Sequence, residues 1–276
     1  MSAWKSAMLA LFAGTLLSIA SQSLPAYSEY EKANALFIAK KFPESLAAIE
    51  EALRLDPKLV PALTLKAKLA MAANRFDTAR ECLERALAAD PRAAYAQFLY
   101  GVEAYLTNDI KAALPRLRKA RQLSPSDPHA ALYLGLVTES LGQFQEAMSL
   151  YDEAIRLARA KGELGAEILL PGAKLLYLLG RFSECEDWLA EALKLSPASR
   201  DAHFEHARLL LKNGNSAQAA AEGEIALTLS EGVVTDTAIR YLLVRAWKQN
   251  GSPDRAAIHA GIIRAQETSA SSSAKN

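Results

Sequence analysis

The sequence predicts an all-α protein, a solenoid in which one helix–turn–helix unit is repeated about seven times. Three observations predict it: alanine makes up about a fifth of the 276 residues, small residues recur with a period of 34, and a Gly or Asn turn recurs in phase with them. Alanine is the strongest helix former and lets helices pack closely. The composition, 51% hydrophobic and 23% charged, excludes a disordered or collagen-like chain.

The charge balance restricts the class of partner. The sequence has 32 basic and 31 acidic residues, which gives a formal net charge of +1. A nucleic-acid-binding domain normally carries a clear excess of basic residues. We therefore expect no nucleic acid among the ligands.

Residues 1–26 are predicted to be a secretory signal peptide. One charge, Lys5, precedes an apolar run over residues 7–20, which is shorter than the roughly 20 residues of a membrane-spanning helix. Cleavage after Ala20 or Ala26 would leave Ser21 or Tyr27 as the first residue. The segment predicts an exported protein, periplasmic or secreted, with no stable membrane span after cleavage.

Three series of small residues keep a common phase along the rest of the chain. The first series comprises Ala33, Ala67, Gly101, Gly135, Ala173, Ala207 and Val244. The second comprises Ser45, Ala79, Ala113, Ala147, Cys185, Ala219 and Ala256. The third comprises Ala52, Ala86, Ala120, Ala154, Ala192, Ala226 and Ile263. This phasing predicts two helices per unit, which approach closely at the small residues.

Turn residues separate the two helices of each unit. Gly and Asn readily adopt the left-handed conformation that ends a helix. The predicted turns contain Asn74, Asn108, Gly142, Gly180, Gly214 and Gly251. Four units close with a proline, which stops one helix before the next begins. These prolines are Pro57, Pro91, Pro125 and Pro197.

The period is interrupted twice. Four extra residues fall within residues 158–165 and three within residues 230–235. Because four residues make about one helical turn, we expect the second helix of the fourth unit to run on.

Together, the period, the phased small residues, the turns and the closing prolines resemble the tetratricopeptide repeat (TPR) over residues 26–267. The resemblance implies a right-handed α-solenoid with a concave groove and with repeats starting near residues 26, 60, 94, 128, 166, 200 and 237. We expect the array to span residues 27–267. Residues 268–276 are rich in Ser and Ala without an apolar period, which predicts a disordered tail.

The sequence contains no motif that predicts an enzyme or a cofactor site. His203 and His206 share a helix face and could ligate a metal, but they fall at packing positions, so we expect no metal. The resemblance places Cys82 and Cys185 three repeats apart, too far for a disulfide. We expect both to be free structural thiols.

The resemblance also implies which side chains face the groove. They lie on one stripe of each first helix, which is rich in tyrosine, and tyrosine offers a binding surface a large apolar area and a hydroxyl. The predicted partner-binding residues are Tyr30, Asn34, Phe37, Lys68, Tyr95, Phe98, Tyr105, Lys174, Tyr177, Phe204, Arg208, Tyr241 and Arg245. On the same stripe, Val102 and Leu132 are expected to pack between repeats, and Asp201 to flank the basic residues.

The predicted function is a non-catalytic protein–protein interaction scaffold of the bacterial cell envelope. The groove would capture an extended or helical partner segment, with Phe98 among the apolar anchors. A basic row, one residue at the same place in four units, would select acidic groups and consists of Lys68, Lys174, Arg208 and Arg245. The alternative is a carbohydrate-binding protein that assists envelope polysaccharide assembly or export, because aromatic rings also stack on sugars.

Overall fold

A computed structural model describes residues 24–273, with side chains to residue 268. Those residues form helices and turns and contain no strand. The predicted signal peptide lies outside the described residues except for residues 24–26, which begin the first helix. Within the described part of the chain, none of the helices is long and apolar enough to span a membrane.

The helices follow the predicted pairs. The first helices of the pairs are α1 (24–38), α3 (Val60–Ala72), α5 (Ala94–Leu106), α7 (Pro128–Ser140), α9 (Ala166–Leu178), α11 (Arg200–Lys212) and α13 (Asp236–Gln249). The second helices are α2 (Phe42–Leu55), α4 (Phe76–Ala89), α6 (Ile110–Leu123), α8 (Phe144–Lys161), α10 (Phe182–Leu195), α12 (Ser216–Thr228) and α14 (Pro253–Ser273). This arrangement is an α-solenoid of helix–turn–helix repeats.

The chain divides into two compact units. Unit 1 ends at Leu141 and contains α1 to α7, whereas unit 2 begins at Gly142 and contains α8 to α14. Each unit has its own apolar core, formed mainly by Ala and Leu.

The backbone confirms the predicted turns. All six Gly and Asn positions have φ between 56° and 84°. In five of these turns the next residue donates its N–H to a carbonyl five residues earlier, as Arg75 does to Ala70 at 2.8 Å, which satisfies an orphan helix carbonyl. The first repeat has Lys40 at this position, with φ 58°, although lysine rarely adopts the left-handed helical conformation.

The small residues lie where paired helices touch. Ser45 on α2 donates its hydroxyl to the Ala33 carbonyl of α1 at 2.8 Å. Four repeats later, the Cys185 thiol on α10 donates to the Ala173 carbonyl of α9 at 3.3 Å. Cys82 and Cys185 are buried and free, as predicted. Burial raises the pKa of the Cys185 thiol to about 11, so this thiol stays protonated at neutral pH.

Glycine marks the tightest helix contacts. A Cβ atom at Gly101 of α5 would lie 2.5 Å from Cγ of Leu117, a fully buried side chain of α6. A Cβ at Gly172 of α9 would overlap the Trp188 ring. These helices therefore pack at a distance that only glycine permits.

The two interruptions of the period have different structures. The first lengthens α8 to 18 residues, against 14 for α10, which confirms the expected overrun. The second forms the loop between α12 and α13, where the Asp201 carboxylate accepts the backbone N–H groups of Val233 and Val234. Asp201 therefore fixes this loop rather than flanking the basic row.

The C-terminal segment differs from the expectation of a disordered tail. Helix α14 continues to Ser273, and residues 274–276 lie outside the described part of the chain. Once a helix is nucleated, extending it costs little, so the packed part of α14 can propagate into the Ser- and Ala-rich end.

Replacing Gly101 by Ala should lower the free energy of unfolding by about 1–2 kcal/mol, because overpacking against Leu117 outweighs the gain in helix propensity. The matched control is Gly261→Ala in α14, where a new Cβ meets no atom within 4 Å. That variant should be more stable by about 0.5–1 kcal/mol. Urea denaturation measures both, and a Gly101→Ala protein as stable as wild type would contradict the packing described.

Candidate binding grooves

Unit 1 carries two adjoining cavities along its first helices, which we call the unit 1 groove. Their volumes are about 290 and 470 Å³. The first cavity is lined by residues that include Tyr30, Asn34, Thr64, Leu65, Lys68 and Tyr95. The second is lined by residues that include Lys68, Met71, Tyr95, Phe98, Leu99, Val102, His129 and Tyr133. Lys68 and Tyr95 belong to both, so the two cavities share a boundary.

Aromatic rings form a continuous row beside the second cavity. Tyr95 stacks on Phe98 with 6.0 Å between ring centroids, and Phe98 meets the edge of Tyr133 at 5.5 Å. Tyr105 contacts the other side of Tyr133 at 6.2 Å. The predicted residues Tyr95, Phe98 and Tyr105 are thus brought together, and the sequence analysis missed Tyr133, which joins them.

The exposure of these rings differs sharply. Tyr95 is 46% exposed, whereas Phe98 is 8% exposed. Phe98 is therefore part of the core beneath the groove rather than the solvated anchor that we expected, because Tyr95 and Tyr133 cover its ring. Val102 and Leu132 are also buried, as expected of packing residues, and Val102 lines the second cavity as well.

Lys68 is the exposed cation of the unit 1 groove. Its ammonium lies 4.6 Å from the centroid of the Phe37 ring, a cation–π contact. Phe37 also packs against Phe42, with 5.7 Å between centroids. The predicted residue Phe37 thus supports Lys68 and is absent from the lining of either cavity.

Unit 2 carries a separate cavity of about 240 Å³, which we call the unit 2 pocket. It is lined by Tyr177, Phe204, Arg208, Leu211, Lys212, Ala238, Tyr241, Leu242 and Arg245. Five of the predicted groove residues are among them: Tyr177, Phe204, Arg208, Tyr241 and Arg245. Lys212 is a further basic residue of the pocket, which the sequence analysis missed.

The basic row of unit 2 is partly neutralised. Glu205, 5% exposed, accepts a hydrogen bond from the Arg208 guanidinium at 2.6 Å. Its other oxygen lies 3.8 Å from the Lys174 ammonium. Lys174 therefore pairs with Glu205 and does not line the pocket. Burial raises the pKa of the Glu205 carboxyl above its usual value, despite these two cations.

The two histidines considered as metal ligands converge on one carboxylate. Nδ1 of His203 hydrogen-bonds Oε2 of Glu222 at 2.6 Å, and its Nε2 hydrogen-bonds the Pro197 carbonyl at 2.9 Å. Nδ1 of His206 lies 3.3 Å from Oε1 of Glu222, outside hydrogen-bond geometry. The described residues contain no group of three or more His, Cys, Asp or Glu that could hold a metal ion. The cluster links α11 to α12.

The acidic groups of α11 and α12 predict opposite effects of pH. The raised pKa of Glu205 means that its ionisation opposes folding as pH rises above 4.5. The contacts of Glu222 with His206 and His203 lower its pKa, so its ionised form stabilises the fold above pH 4.5 and loses that effect as pH falls.

Relative to wild type, Glu205→Gln should therefore gain stability as pH rises above 4.5. Glu222→Gln should lose relative stability as pH rises towards 4.5. Urea denaturation at a series of pH values on both sides of 4.5 measures both differences. Slopes of the same sign would contradict the described environments.

Solved structures share this fold. The Pseudomonas aeruginosa pilF protein is 20% identical, with a TM-score of 0.63 over 74% of this chain and 91% of that chain. A TPR protein from Parabacteroides merdae is 15% identical, with a TM-score of 0.62 over 81% and 84%. A chain of the APC/C hetero-tetramer Cut9-Hcn1 is 19% identical, with a TM-score of 0.73 over 87% of this chain and 46% of that chain, so this chain spans about half of it. These identities show the fold alone.

No curated protein matches the sequence. The tetratricopeptide repeat family model matches residues 64–128, 103–162 and 170–233. These matches cover more than half of the chain, and they coincide with the helix pairs and turns described above. The chain therefore belongs to the tetratricopeptide repeat family.

Proposed function

We propose that this protein is a non-catalytic scaffold of the bacterial cell envelope that holds a segment of a partner protein in the unit 1 groove. Membership of the TPR family supports a protein–protein interaction scaffold in general. The observation that supports the groove is the row of tyrosines over an apolar floor. Tyr95 and Tyr133 line the second cavity together with Leu99 and Val102.

The geometry of the second cavity suits one large apolar side chain of the partner. Its volume of about 470 Å³ exceeds that of any single side chain, and its buried floor is already packed, so binding would cost little rearrangement. The rings of Tyr95 and Tyr133 would bury further apolar area, and their hydroxyls would offer hydrogen bonds to the segment. The Lys68 ammonium, at the boundary of the two cavities, would face a polar or acidic group of the same segment.

The proposed envelope location rests on the sequence of residues 1–26 alone. An exported protein would lose this segment, and α1 would then begin at or near the mature N-terminus. The alternative ligand, a glycan, draws support from the 46% exposure of Tyr95, because a sugar ring needs an open aromatic face.

Site-specific photo-crosslinking in intact cells tests the proposal. p-Benzoylphenylalanine in place of Tyr95 puts the reactive ring in the groove, and the same residue at Glu81, a 71% exposed side chain of α4, is the matched control. We expect one envelope protein to be captured at position 95 and not at position 81.

Equal labelling at the two positions would contradict a protein site in the groove. Absence of a specific adduct from folded protein would also contradict it and would favour the glycan. Mass spectrometry of the same samples reads the mature N-terminus, which we expect at Ser21 or Tyr27. A retained Met1 would contradict export by signal cleavage.

A further inference from the structure

The unit 2 pocket has a different character from the unit 1 groove, because three cations converge on it. Arg208 and Lys212 project from successive turns of α11, and Arg245 projects from α13. The residues that line this pocket include no acidic side chain. Two carboxylates contact its lining: Glu205 accepts a hydrogen bond from Arg208, and Glu267 accepts one from the Tyr241 hydroxyl.

Two of the three cations have no acidic partner within the described residues. No ion pair or hydrogen bond joins Arg245 to another described side chain. The Lys212 ammonium lies 5.7 Å from the centroid of the Phe182 ring, which leaves its charge uncompensated. By contrast, Lys174, which the sequence placed in the same basic row, is paired with Glu205.

The third cation is held in place. The Arg208 guanidinium donates to Glu205 at 2.6 Å and lies 4.3 Å from the centroid of the Tyr177 ring. A guanidinium fixed on both sides loses little side-chain entropy when an anion binds to it. Arg208 therefore provides a rigid point of attachment in the pocket that Lys212 and Arg245 also line.

We propose that the unit 2 pocket binds two neighbouring carboxylates of an acidic segment of a partner protein, through Arg208, Lys212 and Arg245. Charge complementarity favours this ligand, because the pocket presents three cations and Glu205 offsets only Arg208 among them. Phe204, Tyr177 and Tyr241 give the pocket aromatic walls, which suit the methylene groups of Glu side chains. The volume of about 240 Å³ accommodates side chains rather than a folded element.

All residues of this site belong to unit 2, so its test does not depend on the proposed unit 1 groove. The test uses a defined probe and needs no knowledge of the physiological partner. The probe is a fluorescein-labelled hexaglutamate peptide, and its neutral counterpart is hexaglutamine. Fluorescence anisotropy at low ionic strength, where charge attraction is least screened, measures the dissociation constant for the full-length mature chain.

The test variant is Lys212→Gln/Arg245→Gln, which removes the two uncompensated cations. The control is Arg156→Gln/Lys194→Gln, which makes the same change in net charge on two exposed residues of α8 and α10 in the same unit. We expect hexaglutamate to bind the test variant about tenfold more weakly than wild type. The control should bind hexaglutamate with a dissociation constant within about twofold of the wild-type value. None of the three proteins should bind hexaglutamine.

Three results would overturn the proposal. If wild type did not bind hexaglutamate, the pocket would not be a carboxylate site. If both double variants lost affinity for hexaglutamate equally, the binding would be general charge attraction. Binding of hexaglutamine as tightly as hexaglutamate would show that carboxylates are not recognised. Circular dichroism of each variant verifies that it is folded, and the photo-crosslinking result at Tyr95 is independent of all three.

Discussion

Close contact between paired helices at small residues is the constraint on which the rest of the structure depends. At Gly101 the backbone of α5 lies against Leu117, and at Gly172 that of α9 lies against the Trp188 ring. Where the small residue is Ser45 or Cys185, its side chain also donates to a carbonyl of the first helix. Each contact fixes which face of a first helix packs against the second helix of its repeat. The remaining faces of the first helix are then available for other contacts.

The binding surfaces follow from that arrangement. The small residues bury one face of α5, and a stripe beside that face carries Tyr95 at the groove and Phe98 beneath it. On α11 the same stripe carries Phe204 and Arg208. Core residues and binding residues thus occupy neighbouring positions of the same helix. They differ in how far the next repeat covers the side chain. Both units carry tyrosines at these cavities, but the unit 1 groove has one basic side chain, Lys68, whereas the unit 2 pocket has Arg208, Lys212 and Arg245.

Much of the fold could be predicted because the 34-residue period fixes local features that depend on sequence alone, such as the turns at Asn74 and Gly142. The site could be predicted less well, because it depends on contacts between repeats. The stripe of first-helix positions used to predict groove residues does not include Tyr133, which lies two residues before the small residue Gly135. Equivalent positions carry groove residues in other repeats, namely Leu65, Leu99 and Leu242. Glu205 occupies this position as well, so its pairing with Lys174 and Arg208 could not be read from the basic residues alone.

The central claim is that Phe98 belongs to the core and Tyr95 to the binding surface, although they lie on one face of α5. The free energies of unfolding of Phe98→Ala and Tyr95→Ala, measured by urea denaturation, test it most directly. We expect Phe98→Ala to lose about 3 kcal/mol, because a buried ring is removed. We expect Tyr95→Ala to lose no more than about 1 kcal/mol, because its ring is half exposed. Equal losses in the two variants would contradict it.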